Sequence, residues 1–367
     1  MDKTMLRQVA SAFVASRMLV ITAALVSTML ITPAKGERLW SLDVPFFNLF
    51  ARWDSGYYLD IAKEGYARRP FWAFRPLFPL LLGALATCSA GLLDFRVSAA
   101  ISGFLANNLF LLAGLVLMYK LTCTTQSKEL AQSAVVLLAF SPAAVFYSSI
   151  YTESLYLLLS AACYYALEKE MMLLSCSLGF LAGLTRPEGV LTSAVIGLKS
   201  WGRKQSKLNW LAPTAVAAVS LPVFLAYAQL TTGSYNVVFA SEVGWAKITA
   251  AQVFTDSYRM REVGLYLLIS LPVMLVGLAA LLSYFLRSKP KRGVLPYYLV
   301  STILAVVYMV VGDVRSIPRL YSTAIPVYWT LSTWSAKGTL PKAMLLAFSI
   351  GYLTVGTGLF VNWYHFI

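Results

Sequence analysis

Apolar segments of about 20 residues recur along the whole chain, and this pattern constrains the fold more than any other sequence feature. A helix of that length and composition crosses the hydrocarbon core of a bilayer. Of the 367 residues, 59% are hydrophobic and 13% are charged, whereas a soluble domain has about 25% charged residues. The sequence therefore predicts an all-α, polytopic membrane protein.

We expect about eleven transmembrane helices in a single integral membrane domain covering residues 1–367, because the chain shows no linker. The first apolar run has no small-residue cleavage site after it, so we interpret it as an uncleaved span. Arg17 within that run is expected to snorkel toward the cytoplasm. The expected spans are residues 10–31, 97–119, 130–147, 154–167, 172–185, 187–199, 208–231, 263–286, 294–311, 320–336 and 343–361.

Basic loops predict the orientation of these spans. The net charge is +14, and the densely basic segments 199–207 and 286–292 should be cytoplasmic. The remaining basic helix ends can share that side only if the apolar segment 76–93 does not cross the membrane. We therefore expect a juxtamembrane or re-entrant helix at 76–93, within an outer loop 32–96. The N-terminus is then cytoplasmic and the C-terminus is outside.

Several classes of chemistry have no residues to support them. His365 is the only histidine, and the four cysteines lack the spacing of a metal site or a disulfide framework. A general base must therefore come from the few carboxylates. No P-loop, nucleotide-binding glycine pattern or nucleic-acid-binding surface pattern occurs. We expect no metal, no cofactor and no nucleic-acid partner.

The sequence RWDS at 52–55 opens the outer loop and places an acid among aromatic residues. Trp53 precedes Asp54, and Tyr57 and Tyr58 follow it. Aromatic ring faces stack on sugars while a carboxylate accepts hydroxyl protons. An interfacial aromatic belt would explain the aromatic residues as well, but it explains the acid less well. We favour a sugar-binding and catalytic role for this segment.

Glu153 lies where one apolar helix ends and the next begins at the outer face, two residues after Tyr151. An acid at the edge of a membrane span is a functional-site hypothesis by default. The alternative is an N-cap role for Thr152 or Glu153 at the start of the second helix. The sequence alone leaves both interpretations open.

Arginines at the outer turns are candidate anion ligands. Arg186 lies in the turn 185–189, where it could pair with Glu188 or Glu153, or bind a phosphate. Arg315 and Arg319 flank a second outer turn, where they could bind an anionic ligand or a lipid headgroup. The sequence does not choose between these roles.

Taken together, these segments resemble the PIG-V family, which includes GPI mannosyltransferase II and prokaryotic relatives within the GT-C glycosyltransferases. Arg75 and Glu188 depart from the family pattern, which usually has an aromatic residue and an asparagine at these positions. The segments similar to family motifs are RWDS at 52–55 with Ile61-Ala62 and Gly65-Tyr66, residues 74–81, residues 141–155, residues 185–189 and residues 319–329.

The resemblance implies a GT-C fold with a catalytic first outer loop and juxtamembrane helices. It also implies an inverting glycosyltransferase that moves mannose from a polyprenyl phosphate mannose, such as dolichyl phosphate mannose, to a lipid- or glycan-linked acceptor hydroxyl. The reaction would occur on the non-cytoplasmic face. A multi-pass protein of a prokaryotic plasma membrane is expected, or of the endoplasmic reticulum if the chain is eukaryotic.

The expected chemistry needs one carboxylate, because a glycosyl phosphate already carries a good leaving group. A glycosidase would instead need two carboxyl groups flanking the bond. We predict that Asp54 is the base. The residues predicted to hold the donor phosphate are Arg186, Arg319 and Arg315, and those predicted to contact substrate are Trp53, Tyr57, Tyr58, Tyr151 and Glu153.

Two alternatives compete with this hypothesis. A transporter or flippase for an anionic or polyprenyl-linked lipid would also explain the spans and the arginines. Transporters, however, usually place broken helices and polar groups at mid-membrane, whereas the polar groups here are expected at one face. A GT-C enzyme that uses another lipid-linked sugar, such as a protein O-glycosyltransferase, is the third candidate.

Overall fold

The computed structural model describes residues 3–34, 42–88, 92–202, 207–243, 257–287, 291–311 and 316–364. These residues form α-helices joined by turns and short 3-10 segments. In chain order the helices are α1 (Lys3–Leu30), α2 (Pro45–Asn48), α3 (Ser55–Glu64), α4 (Leu77–Thr87), α5 (Phe95–Thr125), α6 (Lys128–Ala139), α7 (Glu153–Glu168), α8 (Met172–Gly183), α9 (Thr192–Gly202), α10 (Lys207–Ala218), α11 (Ser220–Thr232), α12 (Asn236–Val243), α13 (Ser257–Phe285), α14 (Leu295–Val311), α15 (Ile317–Thr323), α16 (Ile325–Ser335) and α17 (Thr339–Val361).

Within the described part of the chain, five helical stretches are long and apolar enough to cross a membrane. The all-helical, multi-pass fold class is therefore confirmed, while the number of about eleven spans is not. Helix α4 has 11 residues and is about 16 Å long, which is shorter than a hydrocarbon core of about 30 Å. The five stretches are Lys3–Leu30, Phe95–Thr125, Thr214–Thr232, Arg292–Val310 and Thr339–Val361.

Prolines divide three of the segments that were expected to be single spans. In the expected span 130–147, the helix α6 ends at Ala139, shortly before Pro142. The expected span 208–231 divides into α10, which ends at Ala218, and α11. Pro222 lies in the first turn of α11 and has no N–H to donate to the Ala218 carbonyl. The expected span 320–336 likewise divides before Pro326, which lies in the first turn of α16.

The chain separates into two compact units that are interleaved along the sequence. The first unit comprises Met1–Lys35, Leu115–Val145 and Lys247–Ile367, and the second comprises Gly36–Gly114 and Phe146–Ala246. The prediction of a single domain stays a prediction.

In the first unit, α1 packs against α6 and α17. Gly358 allows a close approach of α17 to α1, since a Cβ atom there would lie 3.2 Å from the Ser27 Cβ. The Asn362 amide donates to the Ser27 hydroxyl at 3.2 Å. Elsewhere in this unit, the Trp329 indole N–H donates to Thr122 Oγ1 at 2.9 Å. Side-chain hydrogen bonds therefore supplement the helix packing of this unit.

Arg17 does not snorkel, contrary to the expectation from sequence. Its side chain is buried. The guanidinium donates to the Ala144 carbonyl at 3.0 Å and to the Ala139 carbonyl at 3.3 Å. Helix α6 stops at Ala139 and leaves its last carbonyls without intrahelical donors. The interrupted helix thus provides acceptors for the charge within the protein.

In the second unit, α3 packs on α4, and α8 packs on α7, α9 and α10. The C-cap Gly65, with φ +67°, ends α3. A 3-10 turn at Arg69–Ala73 packs against α12. Trp72 of this turn and Phe224 of α11 belong to a buried apolar cluster. All the predicted site residues with numbers below 190 lie in this unit.

Candidate active site

Trp53 and Asp54 form a tight turn at the start of α3. Trp53 has φ +55°, a left-handed conformation that is unusual for a bulky residue. Asp54 occupies the N-cap position, but its side chain makes no cap hydrogen bond. Residues held in sparsely populated backbone conformations cluster at functional sites. The carboxylate is partly exposed and is presented by a constrained turn rather than used to cap the helix.

Tyr151, 97 residues further along the chain, holds this turn in place. Its hydroxyl oxygen accepts a hydrogen bond from the Asp54 backbone N–H at 3.1 Å. The Ile150 backbone N–H donates to the Phe50 carbonyl at 3.0 Å. The segment around residue 150 therefore contacts both the turn itself and the residues before it.

Asn107 in turn holds the segment that carries Tyr151. Its amide nitrogen donates to the carbonyls of Ser149 and Tyr151, the latter at 2.9 Å, and its side chain is fully buried. The neighbouring Asn108 accepts a hydrogen bond from the Ser148 hydroxyl at 3.0 Å. Asn107 was not predicted as a site residue, although an amide within a long apolar helix is a detectable signal.

Aromatic rings surround the start of α3. The Tyr57 ring stacks on Phe74 with centroids 5.2 Å apart and planes inclined by 19°. Tyr58 makes edge contacts with Phe74 at 5.0 Å and Phe78 at 5.3 Å. A further edge contact at 6.1 Å joins Tyr58 to Tyr151. The structure thus brings together four predicted site residues: Asp54, Tyr57, Tyr58 and Tyr151.

The surroundings of Tyr57 favour the protonated form of its phenol. Burial, followed by the charges of Asp54 and Asp60, raises the pKa of Tyr57 above its usual value. A carboxylate favours the neutral phenol because a phenolate beside it would repel it. The Tyr57 hydroxyl is therefore a proton donor next to the Asp54 carboxylate.

Asp60 is a buried acid that the sequence-based prediction did not include. Its carboxylate pairs with the Arg96 guanidinium at 2.7 Å, and Arg68 lies 3.8 Å away. Burial raises the pKa of Asp60, while the charges of Arg96 and then Arg68 oppose that rise. Its position within the helix that follows Asp54 could be read from the sequence, but its pairing with Arg96 required the fold.

Arg186 lies between two buried carboxylates. Its Nη1 atom is 2.6 Å from Glu153 Oε1, and its Nε atom is 2.5 Å from Glu188 Oε1. Arg186 Nη1 also donates to the Thr152 hydroxyl at 3.1 Å. Both pairings considered for Arg186 therefore occur at once. One guanidinium and two carboxylates form this group, which we call the 153–186–188 ion cluster.

The start of α4 adjoins the turn that carries Arg186, because the Leu77 backbone N–H donates to the Leu184 carbonyl at 3.0 Å. Arg75, just before this point, is buried with its guanidinium carbon 4.9 Å from the centre of the Phe224 ring. The sequence-based prediction treated Arg75 only as a departure from a family pattern. In the structure, Arg75 is a buried cation, and it lies two residues before Leu77, which contacts the turn that carries Arg186.

Three predicted site residues, Trp53, Arg315 and Arg319, remain to be located. Trp53 is partly buried at the turn described above. Arg319 lies in α15 of the first unit, where it is buried. Arg315 lies outside the described residues. Among the described residues, no group of three histidine, cysteine, aspartate or glutamate side chains is arranged to hold a metal ion.

A model of one protein family, described as Mannosyltransferase (PIG-V), matches residues 12–237, more than half of the chain. The chain belongs to the PIG-V mannosyltransferase family. The matched range includes the Asp54 turn, Tyr151 and the 153–186–188 ion cluster. Arg315 and Arg319 lie beyond it.

Curated relatives of this PIG-V family protein carry related names. GPI alpha-1,6-mannosyltransferase 2 of Rattus norvegicus is 34% identical over 146 residues, which are 39% of this chain and 30% of that protein. GPI mannosyltransferase 2 of Schizosaccharomyces pombe is 28% identical over 45% of this chain and 35% of that protein. GPI mannosyltransferase 2 of Yarrowia lipolytica is 24% identical over 85% of this chain and 87% of that protein. The chain thus matches about a third of the length of the first two relatives.

Among solved structures, the PIG-V family protein is similar to the oligosaccharyltransferase of Archaeoglobus fulgidus tethered with an acceptor peptide. The TM-score is 0.48 and the identity 11%, over 95% of this chain and 55% of that chain. The apo form of the same oligosaccharyltransferase gives a TM-score of 0.48 at 12% identity.

Proposed function

We propose that this PIG-V family protein is an inverting GT-C mannosyltransferase. It transfers mannose from a polyprenyl or dolichyl phosphate mannose to a hydroxyl of a lipid- or glycan-linked acceptor on the non-cytoplasmic face of a membrane. The observation that carries the proposal is the Asp54 carboxylate, presented at a constrained turn within the segment that matches the family.

Asp54 acts as the general base. It accepts the proton of the acceptor hydroxyl as that oxygen attacks the anomeric carbon of mannose. The bond between the anomeric carbon and the phosphate oxygen breaks, and its electron pair leaves with the phosphate. One displacement inverts the anomeric configuration. The phosphate leaves as a stable anion, so one carboxylate suffices, and the reaction needs neither a metal nor a cofactor.

The aromatic residues around Asp54 provide the sugar-binding surface. Tyr57 stays protonated and can donate to a sugar hydroxyl, while Trp53 offers a partly exposed ring beside the base. Tyr58 and Tyr151 are buried, so they support the turn more than they contact substrate. This division of roles refines the uniform substrate-binding role predicted from the sequence.

Arginines balance the charge of the departing phosphate, because bidentate charge-assisted hydrogen bonds suit a phosphate. Arg186 is one candidate, and it would exchange a carboxylate partner for the phosphate when the donor binds. Glu153 then holds Arg186 in place rather than contacting the acceptor. Arg315 and Arg319 are the other candidates. A prokaryotic plasma membrane remains the preferred location.

The test is mannose transfer by purified protein that is given polyprenyl phosphate mannose and a membrane lipid extract. Loss of a positioned general base lowers a rate by about 10²–10⁴-fold. We expect Asp54→Asn to lose transfer by that factor while still binding the donor. Asp43→Asn, which removes an exposed carboxylate from the same outer segment, is the matched control and should transfer at the wild-type rate.

Full activity in Asp54→Asn would overturn the role of the base while leaving the reaction class intact. Absence of transfer from any lipid-linked mannose donor, together with movement of lipid across vesicles, would favour the flippase alternative. Transfer of a different lipid-linked sugar would preserve the enzyme class and replace the donor.

A further inference from the structure

A cavity of about 680 Å³ opens within the first unit, between the first turns of α1, the helix α6 and the start of α17. All of its lining residues belong to the first unit, whereas Asp54 and the 153–186–188 ion cluster belong to the second. The proposed transfer reaction assigns no role to this cavity. Its volume is in the range of small-molecule binding sites.

Two cations and several neutral polar groups line one part of the cavity. Arg7 on α1 and Lys342 on α17 are exposed residues that contribute to its wall. No aspartate or glutamate occurs among the described residues that line it. A site with two cations and no lining carboxylate attracts an anion, and a low-dielectric wall strengthens that attraction.

Gln8 adds a hydrogen-bonding requirement. Its Oε1 atom is buried, and no described residue donates a hydrogen bond to it. Ser11, one helical turn from Gln8, also lines the cavity. A buried amide oxygen is stabilised by a hydroxyl donor. A ligand that carries both an anion and hydroxyl groups therefore matches this wall better than a simple inorganic anion does.

Another part of the cavity wall is apolar. Val136 on α6, Phe140 directly after it and Leu346 on α17 line this part, together with Ala12 on α1. Along α1 and α17, the cationic residues precede the apolar ones by about one helical turn. The cavity thus changes from cationic to apolar in the direction in which α1 enters the membrane. A soluble anion would leave this apolar part unused, whereas an acyl chain would fill it.

We propose that this cavity binds one anionic phospholipid of the adjacent leaflet. The phosphate lies between Arg7 and Lys342, a headgroup hydroxyl donates to Gln8, and the first part of an acyl chain lies against Phe140 and Leu346. Clusters of lysine and arginine at membrane interfaces attract anionic lipids. Here the cations flank a preformed cavity, so one lipid molecule is retained in a defined position.

The test is native mass spectrometry of the detergent-purified full chain titrated with short-chain phosphatidylglycerol, phosphatidylcholine or glycerol phosphate. We expect wild type to retain phosphatidylglycerol in preference to both other probes. Each cation near an anionic surface contributes about 1 kcal/mol, so Arg7→Gln with Lys342→Gln should weaken phosphatidylglycerol binding by about thirtyfold. Arg7→Lys with Lys342→Arg retains both charges and should keep most of the binding.

The matched control is Lys3→Gln with Lys337→Gln. It removes the same charge from two exposed residues, one at the start of α1 and one in the turn just before α17, and neither residue lines the cavity. Its binding should equal that of wild type. An equal loss in the control pair would overturn the proposal, since general surface attraction would then suffice. Equal binding of glycerol phosphate, or unchanged binding in the Arg7 and Lys342 pair, would also overturn it.

Discussion

The Arg186 guanidinium, which is only slightly exposed, has a structural role that is separate from any contact with substrate. Glu153 and Glu188 are almost fully buried on either side of it. Removal of one partner from a buried ion pair costs about 3–5 kcal/mol, because the remaining charge is buried without compensation. A simple arginine substitution would therefore confuse loss of folding with loss of phosphate binding.

We predict that Arg186→Gln lowers stability by about 3–5 kcal/mol, because two buried carboxylates then lose the guanidinium that they share. Glu153→Gln and Glu188→Gln, added to Arg186→Gln, should restore stability close to wild type, since all three charges are then removed together. Thermal unfolding in detergent measures both effects. A triple variant as unstable as the single variant would contradict this electrostatic explanation.

The same triple variant separates binding from folding. If Arg186 also holds the donor phosphate, the folded triple variant should need about tenfold more donor for half-maximal transfer, as expected for loss of a charged hydrogen bond. Initial rates over a range of donor concentrations measure this. Unchanged donor saturation would confine Arg186 to its structural duty and leave the phosphate to the other arginines.

The residues of the site differ in how far the sequence predicts them. Asp54, Trp53, Tyr57 and Tyr58 lie within six positions, so an acid among aromatic residues is visible directly. The contact of Asn107 with Tyr151 joins residues 44 positions apart. No local pattern encodes such a pairing, because it depends on how two helices pack. Long-range hydrogen bonds are the part of the site that sequence reasoning missed.

At the scale of the element, the 3-10 turn Pro187–Leu191 depends on a glycine. A Cβ atom at Gly189 would overlap the Ala182 carbonyl oxygen at the end of α8. The obstacle is backbone, so it cannot rotate away as a flexible side chain would. This close approach places Arg186 against the start of α7, at Thr152 and Glu153.

We predict that Gly189→Ala destabilises the protein by about 1–3 kcal/mol, the usual cost of overpacking, and weakens mannose transfer through displacement of Arg186. Gly202→Ala is the control, because a Cβ atom at Gly202 meets no atom within 4 Å. Thermal unfolding and transfer rates should be measured for both. A Gly189→Ala variant as stable as Gly202→Ala would show that the turn relaxes without cost.

Helix boundaries illustrate what the sequence predicts at this scale. The expected span 154–167 agrees with α7, Glu153–Glu168, because polar residues mark both ends. The expected span 208–231 is apolar along its whole length, so its hydropathy gives no sign of the break before α11. The same tetrapeptide, SLPV, occurs at 220–223, where α11 begins, and at 270–273, within the continuous helix α13. The same four residues therefore occur both at a helix boundary and inside a helix, so the local sequence alone does not predict the boundary.

At the scale of the whole molecule, α5 is the clearest membrane crossing. It has 31 residues and is flanked by two exposed cysteines, Cys88 before it and Cys123 near its end. Cys163 and Cys176 are buried. The chain therefore contains its own pair of reporters for the predicted topology, in which the segment 76–93 stays on the outer face.

We predict that a membrane-impermeant maleimide labels Cys88 in intact cells or sealed right-side-out vesicles but does not label Cys123. Permeabilisation should expose Cys123, and variants that lack one of the two cysteines identify the labelled site. Labelling of Cys123 from outside would contradict the orientation, and with it the placement of Asp54 on the non-cytoplasmic face. Labelling of neither cysteine would contradict the outer position of Cys88.

The contact of Arg17 with the end of α6 has a consequence for biogenesis. Its two acceptor carbonyls lie 122 and 127 residues further along the chain, so the ribosome completes α1 long before they exist. An arginine at the centre of a spanning helix costs about 2.5–3.5 kcal/mol on insertion scales. We therefore predict that chains truncated before residue 128, which lack these acceptors, integrate α1 less efficiently than longer chains do. The membrane insertion of the first helix is thus linked to a segment of the chain that the ribosome makes later.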